Sequence, residues 1–308
     1  MKATLAERLG FEAADRVAIV HCDDIGMCQA ANEGAFEALA NGPATCGSVM
    51  VPCPWFGDAA ERARARPELD LGVHLTLNAE WLHYRWGPVA GASAVPSLLD
   101  EQGYLPRTSA EVLARARPEE VEIELRAQLE RALAAGIDVT HLDVHMGTAF
   151  LPPFFESYAG LAREYRLPVF AVRPERKALV ALGAEEAAEL YRQVLDGLEA
   201  DGIPILDGFD SDSLEFEPGG GEAHNAARLA GLRRGVNYLI CHPACDGPEL
   251  AAITSDAPMR DFERRFYGGE AGRRAFEEQG LRRVGMRSLR DLVRAGTPSP
   301  RAEPAQPT

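Results

Sequence analysis

The chain has 308 residues, 46% hydrophobic and 26% charged, which is typical of a folded globular protein. Its formal net charge of −15 argues against nucleic acid or an anionic membrane surface as a partner, because both select for basic patches. No apolar run approaches the roughly 20 residues of a membrane span. The charged N-terminal segment lacks a signal-peptide core, so we predict a cytoplasmic protein.

Short β-branched segments alternate with amphipathic segments along the chain. We predict strands at residues 17–22, 46–51, 71–77, 139–144, 167–172, 203–207 and 236–241. We predict helices at residues 30–41, 56–65, 118–135, 153–165, 184–200, 221–233 and 260–279. This alternation predicts a parallel sheet covered by helices. Because seven strands approach the eight of a barrel, and no GxGxxG follows the first, we predict one α/β domain over residues 1–292. Its expected fold is a (β/α) barrel of distorted or incomplete TIM type.

Two segments interrupt this alternation. Residues 78–117, with "WLHYRWGPVAGASAVPS", are long for a loop, and we predict an insertion that acts as a lid or small subdomain. Residues 293–308 include the polar, Pro-rich "GTPSPRAEPAQPT", which predicts a disordered tail. The six cysteines are too sparse for a disulfide scaffold, and the spacing of Cys241 and Cys245 is not CxxC, so we predict buried free thiols.

The stretch "HCDDIGMC" puts two carboxylates, Asp23 and Asp24, directly after the apolar run "RVAIV". Two adjacent negative charges at the end of a buried strand repel each other and are costly to desolvate. One interpretation is a helix N-cap with a solvated neighbour, because a helical segment follows. The other is that a cation, a proton or a substrate compensates for the charges.

Histidines lie on or just after other predicted strands. His74 stands in "LGVHLTLN", and His242 follows the last strand in "ICHPACDG". A single histidine in an apolar strand is more often a core residue than a ligand, and His242 before a proline could simply terminate its strand. The remaining histidines outside "THLDVHMG" are interpreted as structural: His21, His83 and His224.

The segment "THLDVHMG" is more informative. His141, Asp143 and His145 stand at positions i, i+2 and i+4, so an extended strand places them on one face. An apolar core is an unfavourable environment for two imidazoles and a carboxylate, so a purely structural role is disfavoured. Because the chemistry of (β/α) barrels gathers at the carboxyl ends of the strands, these groups and the aspartate pair should converge there. The pattern predicts a mixed carboxylate–imidazole metal site.

At these residues the sequence resembles the YdjC/ChbG-like carbohydrate deacetylase family. The family's opening signature, "ADDFG…NEGI", stands here as "CDDIGMCQAANEGAF", and its "GxHLxL" block stands as "LGVHLTLN". Its "THLDSHHHVH" block stands as "THLDVHMGTAF", and its late "CHP" block as "ICHPACDG". The four blocks keep their order and span residues 17–246.

The resemblance implies a distorted (β/α) barrel, one divalent cation (Mg²⁺ or Zn²⁺), and hydrolysis of the N-acetyl group of an acetylated mono- or oligosaccharide by a metal-activated water. It implies three metal ligands: Asp24, His74 and His145. It implies three catalytic groups: Asp23 as general base, His242 as general acid and Arg173 as an orienting group.

The resemblance also places His141 and Asp143 behind the metal ligands or on the substrate. The chain departs from the family pattern in three places. "HMGTAF" replaces the histidine-rich "HHHVH", Cys22 replaces the alanine before the aspartate pair, and Ile25 replaces the phenylalanine after it. A substrate pocket of different shape follows, and another acylated sugar or a non-sugar amide stays open.

Two other functions stay open at this stage. One is another metal-dependent barrel hydrolase, acting on a phosphoester or a non-sugar amide, although amidohydrolases usually open with HxH where this chain has "HCDD". The other is a non-catalytic protein that binds a metal or a carbohydrate. The expected partner is a small acetylated sugar, with no nucleic acid and no membrane. A homodimer stays open, since dimers are common.

Overall fold

The computed structural model describes residues 3–174 and 185–296. Its strands are β1 (Arg16–Ile25), β2 (Cys46–Val49), β3 (Leu71–Leu75), β4 (Val139–Val144), β5 (Gly208–Asp210), β6 (Gly235–Cys241) and β7 (Arg282–Arg283). They pair in the order β4-β3-β2-β1-β6-β5, and β7 also pairs with β1. All of these pairings are parallel, as the alternation of strands and helices predicts.

Helices connect and cover the strands. The α-helices of the described residues are Leu5–Arg8, Gln29–Asn41, Phe56–Ala65, Ser109–Arg115, Pro118–Ala134, Pro152–Tyr165, Ala188–Ala200, Gly221–Gly231, Pro248–Ile253, Ala257–Tyr267, Glu270–Glu278 and Met286–Ala295. Short 3₁₀ helices span Pro96–Leu98, His145–Phe150 and Glu185–Ala187. No α-helix of this described part is long and apolar enough to cross a membrane.

The sheet curls, and residues 167–172 and 203–207 link its outer strands. Single bridges join Leu142 to Val169 and Val172 to Leu206, which connects β4 to the segment leading into β5. The prediction of full strands at these two segments is wrong. Each contains a proline, Pro168 or Pro204, which lacks the N–H that a ladder needs. The predicted barrel-like α/β fold is confirmed.

Two predicted boundaries near the C-terminus need correction. The single helix predicted at 260–279 is two helices, Ala257–Tyr267 and Glu270–Glu278, because the pair Gly268-Gly269 separates them. The predicted disordered tail begins too early, since Val293 is buried in the helix Met286–Ala295. Residues 297–308 of that tail lie outside the described part of the chain.

Alternating side chains of β1 divide the core into two parts. Val17 and Ile19 belong to a cluster that also contains Tyr238 of β6 and Met286 of the last helix. Their neighbours, such as Val20, belong to the larger cluster between the sheet and the helices. The first cluster fills the barrel and is closed at the amino ends of the strands by the last helix. Alternation along β1 therefore points residues 21 and 23 into the barrel as well.

The insertion at 78–117 is fastened to the helix Pro118–Ala134. The buried carboxylate of Glu124 accepts hydrogen bonds from the backbone N–H groups of Val89 and Ala90, at 2.9 and 2.8 Å. Glu120 accepts another from the N–H of Ser97, at 2.7 Å. The six cysteines are free thiols, as predicted, and five of them are buried.

Candidate active site

The backbone turns sharply at the end of β1. Asp24 has φ of +62°, a left-handed conformation that aspartate tolerates better than most residues, and the register with β2 shifts between Cys22 and Ile25. In a regular strand, neighbouring side chains point to opposite faces. Here Asp23 Oδ2 and Asp24 Oδ1 lie 3.9 and 3.6 Å from the same atom, His74 Nε2. The turn thus brings both carboxylates to one site.

Asp24, His74 and His145 present one ligand atom each to a common point. Asp24 Oδ1 lies 3.6 Å from His74 Nε2 and 3.5 Å from His145 Nδ1, and the two nitrogens are 3.3 Å apart. Ligand atoms bound tetrahedrally at about 2.1 Å are separated by about 3.4 Å. The three buried side chains therefore have the spacing and the donor set of a divalent cation site.

Each of these three residues has a partner on the side away from the common point. His74 Nδ1 lies 3.0 Å from Asp143 Oδ2, and His145 Nε2 lies 3.0 Å from Glu80 Oε2. The guanidinium of Arg260 donates to Asp24 Oδ2 at 2.7 Å. Carboxylates behind imidazole ligands fix the ring orientation and raise the basicity of the ligand nitrogen.

The pKa values of the site reflect burial opposed by these partners. Burial alone would raise the pKa of Asp24, but Arg260 and the nearby imidazoles hold it well below its usual range. Burial likewise favours the neutral form of His145, yet the carboxylates of Glu80 and Asp24 raise its pKa to about 10. In the metal-free protein the site therefore holds a charged carboxylate beside a protonated imidazole.

Asp23 and His242 face each other at the edge of this site. Asp23 Oδ1 lies 2.6 Å from His21 Nδ1, while its Oδ2 lies 3.8 Å from His242 Nε2. On the other side of the His242 ring, Nδ1 is 2.8 Å from Ser213 Oγ. Ser213 donates to both carboxylate oxygens of Glu263, at 3.0 and 2.9 Å. The imidazole of His242 is thus held from behind and directed at Asp23.

His141 and Asp143 lie behind the three candidate ligands. Asp143 accepts a hydrogen bond from Ser48 Oγ at 3.0 Å and lines the cavity described below. His141 is fully buried, and its Nε2 lies 2.9 Å from His21 Nε2. Of the two positions that the resemblance implies, His141 therefore occupies the one behind the site.

A cavity of about 960 Å³ opens over the site. Of the eight residues proposed from the sequence, all except His141 line it: Asp23, Asp24, His74, Asp143, His145, Arg173 and His242. Arg173 lies at the rim, with its side chain 45% exposed, and its guanidinium pairs with Asp196 at 2.8 Å and Glu199 at 3.0 Å. Its partners are thus on the helix Ala188–Ala200 rather than among the convergent ligands.

Sequence reasoning missed several residues that support the site: Glu80, Ser213, Arg260, Glu263 and His21. For the first four, local patterning carries no signal, because they lie in loops or in a helix distant in sequence. The position of His21 did carry a signal: it stands two residues before Asp23 on the same strand, so the two side chains share one face. The interpretation of His21 as merely structural overlooked this position.

Comparisons with known proteins agree with this architecture. A family model described as YdjC-like protein matches residues 17–280. A carbohydrate deacetylase of Thermus thermophilus is 36% identical over 268 residues, which cover 84% of this chain and 88% of that relative. A carbohydrate deacetylase of Thermoanaerobacter pseudethanolicus is 26% identical over 248 residues, which cover 80% and 88%.

A solved structure with a similar fold also matches. It is a protein of Enterococcus faecalis V583, provisionally described as a cellobiose-phosphate cleavage protein. The similarity has a TM-score of 0.71 at 25% identity and covers 89% of this chain and 99% of that chain. Because the family model matches residues 17–280, this chain belongs to the family of YdjC-like proteins.

Proposed function

We propose that the protein is a carbohydrate deacetylase that depends on a divalent cation and hydrolyses the N-acetyl group of an acetylated amino sugar. The observation that carries this proposal is the triangle of Asp24, His74 and His145, with Asp23 and His242 beside it. The relatives named carbohydrate deacetylase support the sugar substrate.

Asp24 Oδ1, His74 Nε2 and His145 Nδ1 are the atoms that would hold the cation. An acetamide is a poor electrophile and water is a poor nucleophile at neutral pH. A divalent cation, when bound, lowers the pKa of water and polarises a carbonyl group. One aspartate and two neutral imidazoles would leave a divalent cation with a net charge of about +1, and three protein ligands would leave positions open for water and substrate.

Asp23 is the proposed general base. Its Oδ1 is engaged by His21 at 2.6 Å, which leaves Oδ2 to face the ligand triangle, 3.9 Å from His74 Nε2. A carboxylate oxygen held in this way can accept the proton of a water that attacks the acetyl carbon. Asp24, whose second oxygen pairs with Arg260, is left as the ligand.

His242 is the proposed general acid, and its contacts define which nitrogen acts. The single hydroxyl hydrogen of Ser213 goes to the carboxylate of Glu263, so Ser213 Oγ must accept from the Nδ1–H of His242. Only Nε2 is then free to gain or lose a proton, and it faces Asp23 across 3.8 Å. From there it can deliver a proton to the leaving amine, which departs poorly as an anion.

The cavity supplies the proposed substrate site. The insertion at 78–117 contributes Glu80 and Trp81 to its wall, and we assign to this insertion a role in covering the substrate. Met146, next to the ligand His145, is 47% exposed and lines the same wall. Arg173 at the rim stays our predicted orienting group, and a donor there would stabilise charge on the substrate's oxygen.

An assay with three substrate classes tests the proposal. The purified protein is incubated with N-acetylglucosamine oligomers, simple amides and a generic phosphoester, with and without added Mg²⁺ or Zn²⁺, and acetate and phosphate are measured. We expect acetate release from the acetylated sugars that requires the cation. We expect His74→Ala to lose both the cation and the activity, whereas His83→Ala, an exposed histidine of the insertion, keeps both.

Three outcomes would contradict the proposal in different ways. Acetate release at full metal depletion would refute the role of the cation. Phosphate release without acetate release would favour a different barrel hydrolase. Absence of both, with a tightly held cation, would favour a binding protein.

A further inference from the structure

A chain of buried polar contacts runs from Asp23 through the barrel to the opposite end of the sheet. Asp23 Oδ1 contacts His21 Nδ1 at 2.6 Å, and His21 Nε2 contacts His141 Nε2 at 2.9 Å. His141 Nδ1 contacts Thr140 Oγ1 at 2.9 Å, and Thr140 donates its hydroxyl hydrogen to Asp70 Oδ1. Asp70 directly precedes β3 and therefore lies at the amino ends of the strands.

The hydrogen atoms shared along this row of polar contacts can be counted starting from Asp70. Thr140 has one hydroxyl hydrogen, and because Asp70 accepts it, Thr140 Oγ1 must accept from the Nδ1–H of His141. A neutral His141 then has a lone pair on Nε2, so the hydrogen between the two rings belongs to His21. With Asp23 ionised, as the proposed general base requires, His21 also donates through Nδ1, and this count then assigns a hydrogen to each nitrogen of the His21 ring.

The surroundings of these hydrogen-bonded side chains agree with this count of hydrogen atoms. His21, Thr140 and His141 have no exposed surface. Burial, followed by the neighbouring His21, lowers the pKa of His141 well below its usual range, which keeps that ring neutral. Gly72 leaves the room that the His141 ring occupies, since a Cβ at this position would lie 2.7 Å from two ring carbons.

Other elements also face His21. Asp143 Oδ2 of β4 lies 3.6 Å from His21 Nε2 and provides a second negative charge beside the ring. Tyr238 of β6 stacks on His21 with ring centroids 4.8 Å apart, and Cys46 Sγ of β2 is also close. Asp23 and Asp143 thus place two carboxylates next to one imidazole.

We propose that Asp70 is a remote positioning residue for the reaction: acting through Thr140 and His141, it keeps His21 doubly protonated, and His21 in turn holds Asp23. This inference rests on the proposed function in one respect, the role of Asp23 as general base. An uncharged donor at position 70 reverses the direction of the hydrogen bonds between residue 70 and His21. If residue 70 donates to Thr140, then Thr140 donates to His141 Nδ1, His141 donates to His21, and His21 needs only its Nδ1 hydrogen.

The substitution Asp70→Asn tests this directly, because an amide can accept from the backbone N–H of Arg287, as Asp70 does at 2.7 Å, and donate to Thr140. The readout is ring ¹⁵N NMR of the metal-loaded protein, with the His21 signals assigned by His21→Gln. In the parent protein we expect both His21 nitrogens to be protonated at neutral pH. In Asp70→Asn we expect only Nδ1 to be protonated. Asp138→Asn is the matched control, because this half-exposed carboxylate pairs with the guanidinium groups of Arg287 and Arg290 and leaves the backbone N–H of Arg287 on Asp70.

Kinetics provide the second readout. We expect Asp70→Asn and Thr140→Val to lower kcat about 10- to 100-fold, with KM and cation affinity unchanged. Thr140→Ser, which retains the hydroxyl group, should restore both the parent kcat and the parent His21 spectrum. Asp138→Asn should leave kcat and the spectrum unchanged.

Three results would overturn the inference. The first is a neutral His21 in the parent protein. The second is a doubly protonated His21 that persists in Asp70→Asn. The third is a second equivalent of bound cation that disappears in His21→Gln, because His21, Cys46 and His141 would then share a metal ion instead of a proton. The NMR result does not depend on activity, so failure of this inference and failure of the deacetylase proposal are distinguishable.

Discussion

Replacement of Asp143 by asparagine removes the negative charge behind the proposed ligand His74, a charge that also lies 3.6 Å from His21 Nε2. Asp143 is 3% exposed, and its Oδ2 lies 3.0 Å from His74 Nδ1 and accepts from Ser48 Oγ at 3.0 Å. Asparagine has nearly the same shape, so the barrel should keep its packing. Only the negative charge that orients the ring and raises the basicity of Nε2 is lost.

The expected magnitude follows from this contact. The carboxylate also counters burial of the imidazole, since burial lowers the pKa of His74 while Asp143 raises it, with a net rise. Loss of a carboxylate behind a metal-binding histidine typically weakens metal affinity about 10- to 100-fold. That range corresponds to about 1.4–2.7 kcal/mol of binding free energy. We expect kcat of the metal-saturated variant to change less than the affinity.

The assay is a competition titration with a chromophoric chelator, at fixed pH, on the parent protein and on Asp143→Asn. The matched control is Tyr238→Phe, which removes a hydroxyl group 3.4 Å from the same Oδ2 and leaves the charge and the aromatic stacking in place. This control should stay within a few-fold of the parent affinity. An affinity for Asp143→Asn equal to that of the parent would refute the reasoning, because His74 would then be oriented by packing alone.

Three further predictions concern the neighbouring groups. Asp23→Asn should retain the cation and lower kcat by about 10²- to 10⁴-fold, as measured by acetate release at known metal content. Loss of the cation in this variant would mean that Asp23 and Asp24 exchange roles. Because the pKa of His145 is about 10 without metal, this ring is protonated at pH 7, and a cation must displace its proton, so the affinity for the cation should rise with pH. Calorimetry in two buffers should show that Glu80→Gln releases fewer protons on cation binding than the parent protein does. An unchanged proton release would contradict the role of Glu80 in keeping His145 protonated. Arg260→Met removes the guanidinium partner of the buried Asp24 and leaves only the imidazoles beside it. It should lower the unfolding free energy by up to about 3–5 kcal/mol without metal and by less with metal, as measured by denaturant unfolding. An equal loss in both states would argue against a cation at Asp24.

Residues 167–172 and 203–207 show where patterning misled the assignment of the fold. Both are apolar enough to predict strands, and both do lie between β4 and β6, but residues 167–172 make only two isolated bridges and residues 203–207 make one. Hydrophobic patterning reports burial, whereas a ladder also needs backbone donors, which Pro168 and Pro204 lack. The helix Met286–Ala295 was missed although its sequence does carry a helical signal: the apolar residues Met286, Leu289 and Val293 stand at positions i, i+3 and i+7 and are buried.

The sequence by itself determined the elements that converge at the site. Asp23, Asp24, His74, His145 and His242 all end or follow strands, and parallel strands bring their carboxyl ends to one edge of a sheet. Only the tertiary structure decided what stands behind these groups. Glu80 in the insertion, Ser213 in a loop and Arg260 in a helix reach the site through connections whose paths no local period encodes. The physical reason is that strand periodicity is a local property, whereas the partner of a buried charge depends on the folding of the whole chain around it.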